Sequence, residues 1–319
     1  MPDRPLVALT GATGFVGRAL ARDLALRGFR VRSLLRRPAL LGEGVEEVVI
    51  GDLARPINLN EAMRGADYVV HSAGIAHAMS GRPEDDYRAV NIEATKALAR
   101  AAGHAGVKRF LFLSSVRAQS GPDSEEVLDE SMPPRPTDAY GRSKLEAEEA
   151  LAASGLGWAA LRPVLVYGPG VKGNLASLFS LARKPVPLPF ARFKAPRSLL
   201  GLANLADAVE LLLRMEKPAN RAFLAADPEP IDLAGLVSAY RAGLGRGAWL
   251  LPVPQGLITG ALSLMGRAEI AERLSRPLVV DTRALREAGW HPRVSTRAGI
   301  EALGRHDARK ESGRGDRRG

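Results

Sequence analysis

A glycine-rich turn between an apolar run and an amphipathic segment near the N-terminus constrains the fold most strongly. The run Leu6–Leu9 is typical of a buried parallel strand, and Phe15–Arg27 has apolar residues at helical spacing. Gly11 permits a tight turn, Gly14 lets backbone N–H groups approach a pyrophosphate, and Gly17 allows the helix to pack closely on the strand. These residues predict a dinucleotide site. A glycine turn without a ligand is the alternative, which the flanking strand and helix disfavour.

Tyr140 and Lys144 form a second candidate site. They stand four residues apart in a segment whose Leu145, Ala147 and Leu151 indicate a helix, so both side chains share one face. A free tyrosine has a pKa near ~10, and a neighbouring ammonium group lowers that pKa by favouring the phenolate. The pair therefore predicts an acid/base tyrosine. A tyrosine and a lysine that merely lie on the surface are the alternative reading.

Two serines follow another strand-like run. Phe110–Leu113 is apolar, and Ser114 and Ser115 come directly after it. A parallel sheet presents such residues at the carboxyl edge of its strands, where ligands bind. One of these hydroxyl groups could therefore hydrogen-bond a substrate oxygen. The order of the three features along the chain favours a functional reading of each.

Apolar runs alternate with helical stretches through the first half of the chain, which predicts an α/β fold with a doubly wound parallel sheet. From Tyr167 the pattern loosens, with a proline-punctuated loop at Arg183–Pro189 and a helix predicted at Leu205–Met215. The predicted strands are Leu6–Leu9, Arg30–Leu35, Val45–Ile50, Tyr68–His71, Phe110–Leu113 and Trp158–Arg162.

Taken together, these motifs resemble the extended short-chain dehydrogenase/reductases, also called the NAD-dependent epimerase/dehydratase family. The resemblance covers nearly the whole chain and also includes Gly51–Leu53, His71–Gly74, Asn91 and Arg162–Gly170. It implies that Ser115, Tyr140 and Lys144 are catalytic. The cofactor-binding residues that it implies are Gly11, Thr13, Gly14, Phe15, Val16, Gly17, Arg36, Asp52, Leu53, Ser72, Ala73, Gly74, Asn91, Tyr140, Lys144 and Pro163.

The resemblance also implies the domain organisation. Residues 1–166 would form a Rossmann-type NAD(P)-binding domain, and residues 167–304 would mainly form a smaller substrate-binding domain that partly returns to the sheet. Residues 305–319 carry six basic and three acidic side chains and are predicted to be a disordered tail.

Within the family, the sequence is most similar to UDP-sugar 4-epimerases and related 4-keto-sugar reductases. Ser115 lies 25 residues before Tyr140, which aligns it with the family's catalytic serine or threonine. Asn174 resembles an asparagine that meets the nucleotide diphosphate, and Arg197 resembles an arginine that grips phosphate. A solvent-exposed or ion-paired Arg197 is the alternative. Candidates for a second phosphate-binding arginine are Arg273 and Arg276.

The mechanism implied by the resemblance is hydride transfer at C4 of a nucleotide sugar. Tyr140 would remove the C4 hydroxyl proton while Ser115 holds the same oxygen, and Lys144 would lower the Tyr140 pKa and bind the nicotinamide ribose. We therefore predict a nucleotide-sugar 4-epimerase. The alternatives are an NADPH-dependent reductase of 4-keto sugars or other ketones, and a non-catalytic cofactor-binding regulator or assembly subunit, which the intact catalytic set disfavours.

The end of the second strand bears on the choice between NAD and NADP. NAD sites usually place an acidic residue there for the ribose hydroxyls, whereas an arginine accommodates a 2′-phosphate. Here the strand Arg30–Leu35 is followed by Arg36 and no acid. The sequence thus favours NADP over NAD. The alternative is that Arg36 stacks on the adenine or faces solvent.

Composition excludes several other classes of function. The chain of 319 residues has no cysteine, which excludes disulfides and thiolate catalysis, and its five histidines lack metal-ligand spacing. Its net charge of +10 is not accompanied by the aromatic pattern of a nucleic-acid binder. The sequence predicts a cytoplasmic protein with a small-molecule partner and no signal segment. Leu250–Met265 is also apolar, but prolines interrupt it, and the uninterrupted part is shorter than a membrane-spanning helix needs to be. We therefore expect a helix that either packs within the protein or lies at a homodimer interface or a membrane surface.

Overall fold

Seven parallel strands form the central sheet of the computed structural model, which describes residues 4–42, 44–75, 83–264 and 275–315. The strands in chain order are β1 (Leu6–Thr10), β2 (Arg30–Leu35), β3 (Val45–Val49), β4 (Tyr68–His71), β5 (Arg109–Leu113), β6 (Trp158–Pro163), β7 (Leu165–Tyr167), β8 (Leu199–Gly201) and β9 (Arg221–Ala225). The sheet order is β3-β2-β1-β4-β5-β6-β9, while β7 and β8 pair separately in parallel. Every residue of β1 and β5 is buried, as expected for strands covered on both faces.

Helices cover both faces of this sheet. The described helices in chain order are α1 (Phe15–Leu26), α2 (Leu59–Ala62), α3 (Glu84–Tyr87), α4 (Ala94–His104), α5 (Ala139–Ala152), α6 (Gly173–Ala182), α7 (Leu202–Arg214), α8 (Leu233–Gly243), α9 (Gln255–Leu264), α10 (Arg283–Glu287) and α11 (Thr296–Gly315). A π-helical turn, Arg88–Glu93, joins α3 to α4, and a 3₁₀ turn, Val116–Ala118, follows β5. Leu24 of α1 and Val209 of α7 belong to one core, and Leu98 of α4 and Leu151 of α5 belong to the other. The predicted doubly wound α/β fold is therefore confirmed.

A third apolar core lies in the C-terminal half, around Phe179, Phe193 and Tyr240. Its helices α8 and α11 approach unusually closely because both carry glycine at the crossing. A β-carbon built on Gly243 would lie 2.1 Å from the Glu301 carbonyl oxygen, and one built on Gly304 would lie 2.3 Å from the Tyr240 carbonyl oxygen. Any larger residue at these positions would push the two helices apart.

The C-terminal segment differs from its prediction. The expectation of a disordered tail from residue 305 is wrong as far as Gly315, because α11 continues to that residue. Tyr240 donates a 2.6 Å hydrogen bond to Asp307, and the Arg183 guanidinium lies 3.8 Å from Asp307 and 3.7 Å from Glu311. These partners come from α8 and the α6 C-terminus, so the polar composition of the tail gave no sign of them.

The other predicted segments agree with the structure in kind and differ at their ends. The six predicted strands are present, and the predicted helix Leu205–Met215 corresponds to α7, which begins three residues earlier. The apolar stretch Leu250–Met265 contains α9, and Met265 lies outside the described residues. In the described part of the chain, no helix is both long and apolar enough to cross a membrane. The domain boundary at residues 166 and 167 stays a prediction.

Candidate active site

The loops after β1 and β4 meet at the point where the strand order reverses. In sheets of this kind, such a crevice at the carboxyl edge is where ligands bind. Gly11 follows β1 with φ at +79°, and a β-carbon on it would lie 2.7 Å from the Ala73 nitrogen. Only glycine suits both this backbone conformation and this close approach. The predicted glycine turn therefore lies directly against the predicted turn Ser72–Gly74.

The amino end of α1 opens into the same crevice. Gly14 is the N-cap residue, no side chain caps the helix, and its first turn contains no acidic residue. Gly17 packs on the turn so tightly that a β-carbon there would lie 2.1 Å from the Gly11 carbonyl oxygen. Thr13 and Gly14 are exposed, whereas Phe15 and Val16 are half-buried. A helix start with uncapped N–H groups is suited to a phosphate group.

His71 supports the Ser72–Gly74 loop through the side chain of Thr10. Its Nδ1 lies 2.7 Å from Thr10 Oγ1, which also accepts a 3.1 Å hydrogen bond from the Ala73 N–H group. The imidazole is fully buried, and it stacks on Phe112 with a centroid distance of 5.5 Å. Burial, and to a smaller extent the positive charge of Lys144, lowers the His71 pKa to about 3. His71 is therefore neutral near pH 7.

A cavity of about 380 Å³ lies beside the predicted adenine-contacting acid. Its lining residues are Asp52, Ala54, Arg55, Ile75, Asp86, Ala89 and Val90. Arg36, at the end of β2, has its Nε 3.9 Å from Asp52 Oδ2, and both side chains are more than half exposed. Leu53 packs its side chain against the core under the sheet edge. The cavity is open to solvent and lies near the Arg36 guanidinium group. These features fit an adenine ring and its ribose.

Asn91 ties the β4 loop to the helix that carries the acid/base pair. It lies in the π-helical turn, where its Oδ1 accepts a 2.9 Å hydrogen bond from the Ile75 N–H group. Its Nδ2 donates to Ser143 Oγ at 2.9 Å, and Ser143 Oγ donates to the Tyr140 carbonyl oxygen at 2.8 Å. Asn91 is buried, so it acts from behind the crevice.

Lys144 projects from α5 under the crevice. Its Nζ donates a 2.8 Å hydrogen bond to the Leu113 carbonyl oxygen and lies 4.5 Å from the Phe112 ring centroid. The side chain is buried, and that burial lowers the Lys144 pKa to about 8, although the nearby carboxylate of Glu148 opposes the shift. A β-carbon on Gly74 would lie 3.3 Å from Nζ, so the ammonium also reaches the β4 loop.

Ser115 and Tyr140 come together at the same end of β5 as Lys144. Ser115 begins the 3₁₀ turn, and its hydroxyl group is hydrogen-bonded to the Tyr140 hydroxyl group. Ser114 points elsewhere, since its hydroxyl donates to Glu148. The Tyr87 ring lies beside Tyr140 at a centroid distance of 6.4 Å. The structure thus places the predicted serine, tyrosine and lysine at one sheet edge.

The electrostatics of Tyr140 differ from the prediction. We expected Lys144 to lower the Tyr140 pKa, but burial raises that pKa to about 12. The Ser115 hydrogen bond and the Arg117 cation act in the opposite direction, whereas the Asp138 carboxylate adds to the rise. In this structure the Lys144 ammonium is directed at the Leu113 carbonyl oxygen, and burial outweighs the effect of nearby cations.

Sequence reasoning missed four charged residues around the site. Arg117 forms an ion pair with Asp138, the residue that caps α5. Glu148, four residues after Lys144, forms a buried ion pair with Arg162 at 2.6 Å. Two features of the sequence could have indicated these pairs: Asp138 stands at the start of the predicted helix, and Glu148 lies on its buried face. Their partners could not be recognised, because Arg117 and Arg162 lie 21 and 14 residues away in the chain.

The predicted substrate residues occupy the C-terminal half and its border with the sheet. Asn174 is exposed at the start of α6, and Pro163 ends β6 at the carboxyl edge. Arg197 donates to the carbonyl oxygens of Pro122 at 2.8 Å and of Arg276 at 2.7 Å. These contacts bring two candidate phosphate-binding arginines together, and Arg276 also lies 3.1 Å from Asp123. Arg273 falls outside the described residues.

Comparison with known families decides the class of protein. The model of the NAD dependent epimerase/dehydratase family matches residues 7–224, a range that contains the glycine turn, Ser115, Tyr140 and Lys144. The chain belongs to this family. The family includes NAD-dependent enzymes, and the predicted enzyme class is confirmed. Among the described residues, no cluster of metal-ligating side chains accompanies the site.

Individual family members show how far the likeness extends. A UDP-glucose 4-epimerase of Vibrio cholerae is 34% identical over 306 residues, which cover 92% of this chain and 93% of that protein. A ceramide reductase of Caulobacter vibrioides is 37% identical over 66% of this chain and 60% of its own length. The structure of MoeE5 in complex with UDP-glucuronic acid and NAD superposes with a TM-score of 0.76 at 25% identity, covering 96% of this chain and 99% of that one.

The residues of the crevice fit the dinucleotide that the family name implies. The glycine turn leaves no room for a side chain between the β1 and β4 loops, and the amino end of α1 offers uncapped N–H groups. The cavity beside Asp52 extends the same crevice toward Arg36. A pyrophosphate at α1, an adenosine near Asp52 and a nicotinamide near Lys144 would follow the order of these features along the edge.

Proposed function

We propose that the protein is a nucleotide-sugar 4-epimerase that acts by transient hydride transfer at C4. The observation that carries this proposal is the assembly of Ser115, Tyr140 and Lys144 at the sheet edge of a chain 34% identical, over 92% of its length, to a UDP-glucose 4-epimerase. The same relative is matched over 93% of its own length, so the likeness includes the C-terminal half, where this family would hold its substrate.

The cofactor would be held by backbone groups of Gly11–Gly17, by the loop Ser72–Gly74 and by Lys144. Asp52 and Leu53 would contact the adenosine, and Pro163 would pass beside the nicotinamide. When bound, the nicotinamide ring supplies a hydride acceptor and, in its oxidised form, a positive charge.

Tyr140 would move the proton at the reacting C4 oxygen. Burial raises its pKa to about 12, and a positive charge nearby, such as that of an oxidised nicotinamide ring, would favour the phenolate. Ser115 is hydrogen-bonded to Tyr140, and with substrate bound its one hydroxyl proton would instead be donated to the same substrate oxygen. Lys144 is anchored on the carbonyl oxygen of Leu113, the last residue of β5, and would donate to the nicotinamide ribose from there.

The substrate would be a nucleoside diphosphate sugar. Asn174 at the start of α6 and Arg197 beside Pro122 would contact its diphosphate, with Arg276 as an additional cation. Arginine suits this role because its planar fork donates two parallel hydrogen bonds to phosphate oxygens. The partner that this proposal requires is therefore a small molecule. Whether the protein forms the homodimer that the family resemblance implies is measured by light scattering of the pure protein.

The test is an assay of the purified protein with UDP-glucose and UDP-N-acetylglucosamine. We expect the 4-epimer to accumulate without net reduction of added cofactor, and Tyr140→Phe to abolish turnover while retaining cofactor binding. Mass spectrometry of the nucleotides released on denaturation should show a bound dinucleotide. An active Tyr140→Phe enzyme would contradict the proposed role of Tyr140.

A second candidate function is an NADPH-dependent reductase of a 4-keto sugar or another ketone. The observation that favours it is Arg36, an exposed cation at the end of β2 with Asp52 as its ion-pair partner at 3.9 Å. An arginine at this position suits the 2′-phosphate of NADP. Reductases also occur among the relatives, including a farnesyl-dihydroquinoline-oxide ketoreductase of Stigmatella aurantiaca at 26% identity over 92% of this chain.

Arg36→Ala tests the observation that favours the reductase. If Arg36 binds a 2′-phosphate, the Kd for NADPH should rise about tenfold or more while the Kd for NADH stays within a factor of two, since a hydrogen bond to a charged group contributes about 1.5–3 kcal/mol. Arg22→Ala, which removes an exposed arginine on α1, serves as the control. Equal effects on both cofactors would remove Arg36 from this role.

A further inference from the structure

An ion pair joins the turn that carries Ser115 to the helix that carries Tyr140. Arg117 Nη2 contacts Asp138 Oδ2, and these side chains are 12% and 26% exposed. We propose that Arg117 and Asp138 are positioning residues, which hold Ser115 and Tyr140 in register and place balanced opposite charges beside the Tyr140 hydroxyl group. The inference rests on the proposed function only in taking Tyr140 as the acid/base.

Asp138 has two roles at the start of α5. Its Oδ1 accepts a 2.7 Å hydrogen bond from the Gly141 N–H group, which caps the helix, while its Oδ2 contacts Arg117. Tyr140 is the second residue of this helix, so the position of its ring depends on where and in which direction the helix begins. One carboxylate therefore fixes the helix start and its distance from the 3₁₀ turn.

Arg117 has the complementary role on the turn. Its N–H group donates a 3.2 Å hydrogen bond to Ser115 Oγ, so the serine hydroxyl is oriented by the residue whose side chain reaches Asp138. The backbones of the turn and the helix are in contact, since a β-carbon on Gly141 would lie 2.2 Å from the Arg117 carbonyl oxygen. Any movement of Arg117 relative to α5 would change the Ser115–Tyr140 hydrogen bond.

Packing alone does not explain an arginine at this position. Its Nε is buried and has no hydrogen-bond partner among the described residues, which is a cost to stability that an apolar residue would avoid. What the arginine provides is a cation close to Tyr140. That cation lowers the Tyr140 pKa, and the Asp138 carboxylate raises it. Replacing one partner at a time should therefore shift the proton affinity of Tyr140 in opposite directions.

Other charged or titratable groups stand on the elements packed against α5, and each is kept unchanged when Arg117 or Asp138 is replaced. They are Glu84, Asp85, Asp86 and Tyr87 on α3, Arg88 and Glu93 in the π-helical turn, Lys96, Arg100 and His104 on α4, Arg162 on β6, and Arg142, Lys144, Glu146, Glu148 and Glu149 on α5 itself. A difference among the variants is therefore due to the replaced pair.

The experiment compares Asp138→Asn, Arg117→Gln and the double variant. Asparagine still caps the helix, so Asp138→Asn removes the charge and keeps the cap. In the pH profile of kcat, we expect the apparent pKa of the acid/base to fall by about one unit in Asp138→Asn and to rise by about one unit in Arg117→Gln. The double variant should return near the wild-type value, because it removes both charges.

A second readout does not depend on turnover. Protein labelled with ¹³C at the Cζ carbon of each of its five tyrosines gives one signal per tyrosine, and Tyr140→Phe identifies the one from Tyr140. In Asp138→Asn this signal should begin to titrate about one pH unit lower than in the wild type. If the labelled tyrosine responds in this way but no nucleotide sugar turns over, the positioning pair stands and the proposed function fails.

The control is the exposed ion pair between Glu84 and Arg142, which joins α3 to the same helix at 2.9 Å. Glu84→Gln and Arg142→Gln should leave both pH readouts unchanged. If the Arg117 and Asp138 variants only lower the melting temperature, or shift the Tyr140 titration in the same direction, the pair is merely structural and the proposal is overturned.

Discussion

His71 has no contact with solvent, and its protonation is governed by burial and by Lys144. Its pKa falls from 6.5 to about 3 in the folded protein. Below pH 6.5 the unfolded chain takes up a proton at this residue and the folded chain does not. The free energy of unfolding therefore decreases as the pH falls from 6.5 toward 3, by at most ~1.4 kcal/mol for each pH unit.

We expect His71→Gln to remove this pH dependence. Between pH 7 and pH 5 the wild type should lose about 2 kcal/mol more unfolding free energy than the variant, as measured by urea denaturation. Lys144 does not contribute to the difference, because its pKa of about 8 in the folded protein and its usual pKa of 10.5 both lie above this window. Equal losses in the two proteins would mean that His71 is protonated in the folded state.

The roles proposed for single residues were only partly accessible from the sequence. Tyr140 and Lys144 were recognised because four-residue spacing on a helix puts them on one face. The direction of the Tyr140 pKa was predicted wrongly, because spacing does not reveal burial, and burial is the largest influence on that phenol. Whether Ser115 and Tyr140 perform catalysis stays a prediction.

At the scale of elements, the contact between the 3₁₀ turn and α5 depends on Gly141. We expect Gly141→Ala to lower both the melting temperature and the turnover, because the added methyl group would lie 2.2 Å from the Arg117 carbonyl oxygen. Gly103→Ala is the matched control in α4, since a methyl group there meets only Leu156 at an ordinary 3.8 Å.

Thermal denaturation measures both variants. The control should be neutral or up to about 1 kcal/mol more stable, as alanine is a better helix former than glycine. If Gly141→Ala is as stable and as active as the control, the turn can move away from α5 without consequence. That outcome would also weaken the inferred positioning role of Arg117.

Element prediction succeeded where an element buries a continuous apolar run. Strands β1, β2, β4, β5 and β6 were predicted to within one residue at each end because most of their residues are buried in the cores on the two sides of the sheet, and the more exposed edge strand β3 was predicted equally well. The three-residue strands β7 and β8 and the returning strand β9 were not predicted, since short segments carry too little periodicity. The pairing of β6 with β9 was likewise not predicted, because it depends on packing rather than on local sequence.

At the scale of the whole molecule, the last helix, α11, connects α8 and the end of α6 in the C-terminal half. We expect truncation after Gly304 to lower the melting temperature by about 2–5 °C, because it removes Asp307 and Glu311, the partners of Tyr240 and Arg183. Truncation after Gly315 keeps both carboxylates and serves as the control. A disordered tail, as the sequence predicts, would make the two truncations equally stable.

The sequence by itself determined the fold class, the family and the identity of the candidate acid/base residues. These depend on local features, namely glycines at a strand-to-helix turn, apolar runs of strand length and a tyrosine four residues before a lysine. Each acts within about ten residues of chain, so the order of residues is sufficient to reveal it.

Only the tertiary structure decided how those residues are held and charged. The Arg117–Asp138 and Arg162–Glu148 pairs, the neutral His71 and the helical course of residues 305–315 all depend on partners distant in sequence. Burial and charge near a titratable group are set by every element that packs around it, and the sequence alone does not specify those distances.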